Sequence, residues 1–223
     1  MYDAVIFDWD GTLADTKDIV VTSFQIVLKQ IGCKVADEFI ERLIGIGSRN
    51  TFKETLKAKN IPFDEKSIDR LVKRKIDIAV SLADRVKLLD GAPELLESLK
   101  GQVKIALASM NDRKIIEKML EVTAIKQYFE VITTAEEIDA PKPDPEIFLK
   151  CASELASEPD RCVVLEDSVF GVEAAKAAKM RCIAVSTGAY SERELNKAGA
   201  DVMVGSLIEK ERILRFILST EKH

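Results

Sequence analysis

Short apolar runs recur along the chain. Ala4–Phe7, Val103–Ala108, Val131–Ile132, Cys162–Leu165, Cys182–Val185 and Val202–Val204 read as short buried strands. Between them apolar residues return at helical spacing, which predicts helices over roughly Pro93–Lys100, Arg113–Val122, Pro145–Leu155, Val169–Ala178 and Glu192–Ala198. Strand–helix alternation of this kind predicts an α/β fold, a doubly wound and Rossmann-like parallel sheet with helices on both faces and right-handed crossovers. One stretch departs from the alternation. From about Asp15 to Arg85 no convincing strand is found, while Val20, Phe24, Val27, Leu28 and Ile31 keep helical spacing, as do Ile68, Val72, Ile76, Ala79 and Val80. Gly32, Gly45-Ile46-Gly47 and Ile61-Pro62 supply the turns between these helices. Residues 15–85 are therefore expected to form a small α-helical cap, inserted into a core built from residues 1–14 and 86–223.

Composition narrows the partners. The 223 residues carry a net charge of −5, with lysines and arginines interspersed among acids. Such a chain offers no basic block for a nucleic acid or an anionic membrane. The first apolar run is too short for a signal peptide, and no stretch is long enough to span a bilayer. Cys33, Cys151, Cys162 and Cys182 form no CxxC pair, so reduced thiols and a cytoplasmic location are expected. Nothing in the pattern calls for an obligate assembly, and a monomer is expected. The single histidine is His223, which argues against a histidine triad, a histidine-ligated zinc or a phosphohistidine. Chemistry then falls to carboxylates, Lys, Ser or Cys.

Four clusters carry that chemistry. Asp8-Trp9-Asp10-Gly11-Thr12-Leu13 follows the first strand, and strand alternation puts Asp8 and Asp10 on one side. Gly11 permits a sharp turn and close backbone approach by a ligand, although Asp and Gly also favour an ordinary charged turn. Ser109-Met110-Asn111-Asp112 ends the second strand, where a hydroxyl and backbone N–H groups suit a phosphate or a plain helix cap. Lys142-Pro143-Asp144-Pro145 places a lysine on a loop, where lysines are usually solvated, before a helix opened by Pro145 and capped by Asp144. Glu166-Asp167-Ser168 sets two acids at the tip of a very apolar strand, an arrangement that needs a compensating cation, while Ser168 or Asp167 also reads as a helix cap. Ligands of doubly wound sheets bind at the carboxyl ends of the strands, and all four clusters lie there or beside them. Asp8, Asp10 and Asp167 are hard oxygen donors suited to Mg²⁺, and Lys142 and Ser109 suit a phosphoryl group.

In this order, DxDGT at Asp8–Thr12, a strand-ending Ser109, Lys142 and the pair Glu166-Asp167 resemble the haloacid dehalogenase superfamily. The likeness covers essentially the whole chain. Ala106-Leu107-Ala108-Ser109, Lys142-Pro143-Asp144-Pro145-Glu146-Ile147-Phe148 and Glu166-Asp167-Ser168-x-x-Gly171 look like its β-phosphoglucomutase-like and phosphoglycolate phosphatase-like branch. Dehalogenases lack the second aspartate, so Asp10 points to phosphoryl transfer. The resemblance implies that Asp8 attacks phosphorus and Asp10 serves as acid and then base. It implies Mg²⁺ on Asp8, the Asp10 backbone carbonyl and Asp167, with Glu166 acting through water. Ser109 and Lys142 would grip the phosphoryl group, with Gly11, Thr12 and Asn111 beside it.

In the cap, Gly45-Ile46-Gly47-Ser48-Arg49 resembles the family's substrate-reading loop, and Arg49 is a candidate for a second anionic or polar group. Its plainer reading is an exposed first-turn arginine behind a Ser48 cap. Lys75 lies in the apolar stripe of its helix, either turned into the site or, more plainly, snorkelling. Lys179 stands where many relatives have glycine at a helix end. Three functions follow: a Mg²⁺-dependent phosphatase of a small phosphorylated metabolite such as a sugar phosphate or phosphoglycolate, a β-phosphoglucomutase-type mutase, and a non-catalytic phospho-aspartate module like a receiver domain. Thr12-Leu13 matches phosphatases better than mutases.

Overall fold

The structure is a computed structural model that describes residues 1–219; His223 lies outside the described residues. In chain order the strands are β1 (Ala4–Phe7), β2 (Ala14–Asp15), β3 (Lys87–Leu88), β4 (Lys104–Ser109), β5 (Val131–Thr134), β6 (Cys162–Glu166), β7 (Arg181–Val185) and β8 (Val202–Val204). Among the described residues, six form one sheet in the order β5-β4-β1-β6-β7-β8. All of its pairings are parallel. The alternation of side chains sorts the strands into two faces. Val5, Phe7, Ile105, Leu107, Val163, Leu165, Ile183 and Val185 join one core cluster, and Ala4, Ile6, Ala106, Ala108, Cys162, Val164, Cys182 and Ala184 join the other. Strands with both faces buried explain the continuous apolar runs.

Helices α1 (Lys17–Gln30), α2 (Asp37–Glu41), α3 (Ser48–Ala58) and α4 (Glu65–Leu82) occupy the stretch between β2 and β3. The rest are α5 (Ala92–Leu99), α6 (Arg113–Thr123), α7 (Glu146–Glu154), α8 (Val169–Ala177), α9 (Glu192–Ala198) and α10 (Lys210–Leu218). The first face is covered by α5, α6 and α10, the second by α7, α8 and α9. The sheet grows outward from β1 in both directions, so the carboxyl end of β1 is a topological switch point.

The helical stretch has an apolar cluster of its own, in which the Phe24 and Phe52 rings meet with centroids 4.7 Å apart. Its two connections to the sheet are tied by a ribbon pairing Ala14 with Leu88 and Asp15 with Lys87. A second tie lies across the site. Arg42 donates to Glu194 Oε1 at 2.7 Å and lies over the Tyr190 ring, and Tyr190 Oη donates to the Arg42 carbonyl at 2.6 Å.

The ribbon and α10 lie outside the expected elements. The ribbon strands are two residues each, and α10 buries only Ile213, Phe216 and Ile217 among charges. Two expected helix starts shift. Pro145 is the capping residue of α7 rather than its first helical residue, although Asp144 still accepts from the Glu146 N–H. Gly47, not Ser48, precedes α3; α6 begins at Arg113 as expected, with Asp112 as its cap.

Candidate active site

Asp8 and Asp10 leave the end of β1 on one side, while Trp9 turns the other way and donates to the Met119 sulfur at 3.2 Å. Both aspartates are buried. Lys142 is not a solvated loop residue: only 1% of it is exposed. Its Nζ donates to Asp8 Oδ1 at 2.5 Å and to Glu166 Oε1 at 2.7 Å. Burial opposes its charge, but Asp8 and Glu166 outweigh that and raise its pKa. Burial lifts the Asp8 carboxyl well above the usual range, against the pull of Lys142, and the neighbouring Glu166 and Asp10 add to the rise.

Asp10 sits in a separate set of contacts. Thr16 Oγ1 donates to its Oδ1 at 2.5 Å and Asn111 Nδ2 to its Oδ2 at 2.6 Å. Burial raises its pKa, opposed by Thr16, Lys75, Asn111 and Lys142. Lys75 does not snorkel. It is 1% exposed, its Nζ lies 3.4 Å from Asn111 Oδ1, and the Phe24 ring is 5.2 Å away. Burial lowers its pKa to about 8, with Asp10 and Asp112 pulling it back up. The helical stretch thus delivers a buried cation, through Asn111, towards Asp10.

Asp8, Glu166 and Asp167 place carboxylate oxygens within 4.8 Å of one another, all buried. Glu166 Oε2 accepts from the N–H groups of Asp167 and Ser168 at 2.8 Å each and from Ser168 Oγ at 2.9 Å, which leaves Oε1 for Lys142. Ser168 also caps α8, accepting from the Gly171 N–H, as the plainer reading of this cluster expects. Among the described residues the Asp167 carboxylate accepts a hydrogen bond from Thr12 Oγ1 alone, at 3.3 Å. Burial, then Glu166, Asp8 and Asp10, push its carboxyl well above the usual range. Glycines leave room for these acids. A Cβ at Gly11 or Gly188 would lie 2.3 or 1.8 Å from Asp167 Oδ2, and one at Gly171 would lie 1.7 Å from Glu166 Oε1. One buried lysine serves three crowded carboxylates, and their hard oxygens suit a divalent cation such as Mg²⁺.

Ser109 is fully buried and accepts from the Asn111 N–H at 3.1 Å. Gly11 takes a left-handed φ of 72°, which turns the chain sharply after Asp10. Arg49 is not drawn to these acids: it is exposed and pairs with Glu65 at 2.8 Å and with Asp69. Two contributors escape the sequence pattern. Thr16, directly before α1, looks like a helix cap, yet its side chain caps nothing and goes to Asp10. Gly188 lies in a loop after β7 with no motif around it.

A buried carboxylate beside a buried lysine thus lies at the switch point of a doubly wound sheet, where such folds bind small ligands. The chain belongs to the haloacid dehalogenase-like hydrolases, whose family description matches residues 5–185. It is 31% identical over 218 residues to hexitol phosphatase B of Escherichia coli K12, covering 92% of this chain and 93% of that protein. It is 30% identical over 218 residues to the phosphorylated carbohydrates phosphatase of Thermotoga maritima, covering 96% and 98%. The β-phosphoglucomutase structure from Clostridium difficile superposes with a TM-score of 0.86 at 28% identity, covering 98% of this chain and all of that one. Among the described residues no helix is long and apolar enough to cross a membrane.

Proposed function

We propose that this chain is a Mg²⁺-dependent phosphatase that hydrolyses a phosphorylated sugar or polyol through a phosphoryl group carried on Asp8. The observation that carries the reading is the pairing of Asp8 with Lys142 beside the Glu166–Asp167 acids, with Asp10 held apart in its own contacts. Names of the relatives, hexitol phosphatase and phosphorylated carbohydrates phosphatase, support the substrate class.

Asp8, Asp167 and the Asp10 carbonyl would hold Mg²⁺, with Glu166 assisting from behind them, and when bound the ion would neutralise charge on the phosphoryl oxygens. A carboxylate alone repels a phosphate dianion, so Lys142 and Ser109 bind the transferring group and offset that repulsion. In the first step an Asp8 oxygen bonds to phosphorus as the phosphorus–oxygen bond to the leaving alcohol breaks. Asp10 gives its proton to that leaving oxygen, a role its raised pKa favours. In the second step Asp10 takes a proton from water as the water oxygen bonds to phosphorus and the Asp8 carboxylate departs. Two displacements replace one harder one. Thr16 and Asn111 fix the Asp10 carboxyl in place. Helices α1–α4 act as the lid that limits water during the first step.

Phosphate release from hexitol and sugar phosphates in the presence of Mg²⁺ tests this. Release that EDTA abolishes is expected. A folded protein that releases phosphate from none of them contradicts the reading. A mutase differs only in the acceptor of the second step, and formation of glucose 6-phosphate from β-glucose 1-phosphate would assign that reaction instead. A receiver-like module needs neither a lid nor the Thr16–Asp10–Asn111 arrangement.

A further inference from the structure

Past Asp10 and Asn111, the site continues by Gly47, Ser48 and Met110 into a cavity of about 540 Å³ between the helical stretch and the sheet's loops. That volume suits the leaving group of a sugar-sized ester. The wall formed by the loops after β4 and β5 carries Asp112, Glu136 and Asp139. The opposite wall carries Arg49 and Lys53, but both already face acids of α4: Arg49 pairs with Glu65 and Asp69, and Lys53 Nζ lies 2.8 Å from Glu65 Oε1. Three carboxylates, Asp112, Glu136 and Asp139, therefore line this cavity opposite two cations that Glu65 and Asp69 already engage. Burial pushes the Asp112 carboxyl up, the Lys114 N–H and the more distant Lys75 cation hold it back, and the adjoining Glu136 adds to the rise, so the two acids crowd one another.

We infer that Asp112 and Glu136 are specificity-determining residues that set this cavity against a second anionic group, so that monophosphates of neutral polyols and sugars are preferred over bisphosphates and phosphorylated acids. The inference rests on the phosphatase reading above. Hydroxyl groups donate hydrogen bonds to carboxylates at no charge cost, whereas a second phosphate would meet like charges across a cavity one sugar wide. Together the Asp112 and Glu136 charges are expected to disfavour a second anionic group by roughly tenfold.

Both acids also have structural duties, which dictate the variants. Asp112 Oδ1 accepts from the Lys114 N–H at 3.1 Å, and Glu136 Oε2 accepts from the Arg113 N–H at 3.0 Å. Asp112→Asn and Glu136→Gln keep these acceptor oxygens and remove only charge. Phosphate release with Mg²⁺ is measured for fructose 1-phosphate and fructose 1,6-bisphosphate, which differ by one phosphate, and for a hexitol 6-phosphate. The wild-type protein is expected to show kcat/KM at least about tenfold higher for the monophosphates. In the double variant, shown folded by circular dichroism, that ratio is expected to fall by about tenfold, and in the wild type it narrows as salt screens the wall. If the double variant does not fold, the single variants carry the same comparison. Equal use of mono- and bisphosphate by the wild type, or a ratio unmoved in folded variants, overturns the inference alone. No release from any ester overturns the phosphatase reading and the inference with it.

Discussion

At the scale of residues, the site is a set of charges that burial makes interdependent. Lys142 has no exposed surface to spare, and its two partners would be left as unpaired buried acids without it. Lys75 is the opposite case, a buried cation 3.4 Å from a neutral amide and, among the described residues, without a direct ion pair. Its folded pKa of about 8 lies below the ordinary 10.5. The unfolded chain therefore binds the Lys75 proton more tightly, and the charge costs stability on the order of 3 kcal/mol below pH 8, relieved as pH rises from 8 towards 10.5. Lys75→Met is expected to raise the urea midpoint at pH 7, and the gap to wild type should close by pH 10. A gap independent of pH would show that the lysine charge is not what the fold opposes. Residues such as these were only half legible in the sequence. Asp8, Asp10, Glu166 and Asp167 announce themselves by sitting at or just past strand ends, where charges have no packing purpose, whereas Lys142 lies on a loop and reads as solvated until its contacts are known. Thr16 and Gly188 do not, because a threonine before a helix and a loop glycine are commonplace until their neighbours in space are known.

Among elements, the sheet was readable because its central strands β1, β4 and β6 are buried on both faces, and no polar alternation blurs their apolar runs. The bounds of β1, β8 and α9 coincide with the sequence pattern, while β5 runs on to Thr134 because Thr133 and Thr134 are buried β-branched residues that still fit the strand. The ribbon of β2 and β3 is too short for any periodicity. Helix ends show where local chemistry was traded away. After α8, Lys179 takes a left-handed φ of 61°, with its N–H bonded to the Lys176 carbonyl and the Met180 N–H to the Ala175 carbonyl. This is the Schellman pattern with lysine where glycine carries no Cβ penalty. Lys179→Gly is expected to stabilise the protein by roughly 0.5–1 kcal/mol in denaturant titrations, with activity unchanged. Destabilisation would mean that the lysine side chain makes a compensating contact.

For the whole molecule, the acids at the switch point link folding to metal. Asp8 and Asp167 have raised pKa values, so without a cation the folded chain holds protons that the unfolded chain releases. Stability of the metal-free protein should then fall as pH rises from about 4 through the raised values. A divalent ion that binds only the folded, deprotonated site reverses that trend. Millimolar Mg²⁺ is expected to raise Tm by several degrees at pH 8 and by much less near pH 5. An equal shift at both values would place the ion elsewhere. The central claim is that Asp8 carries the phosphoryl group. It is tested most directly by acid-quenching the enzyme during turnover of a ³²P-labelled sugar phosphate, reducing the acyl phosphate with borohydride and mapping the product by mass spectrometry. Asp8 converted to homoserine, in the wild type and not in Asp8→Asn, is the predicted result. Turnover with no modification at Asp8, or activity retained by the folded Asp8→Asn protein, would contradict the account.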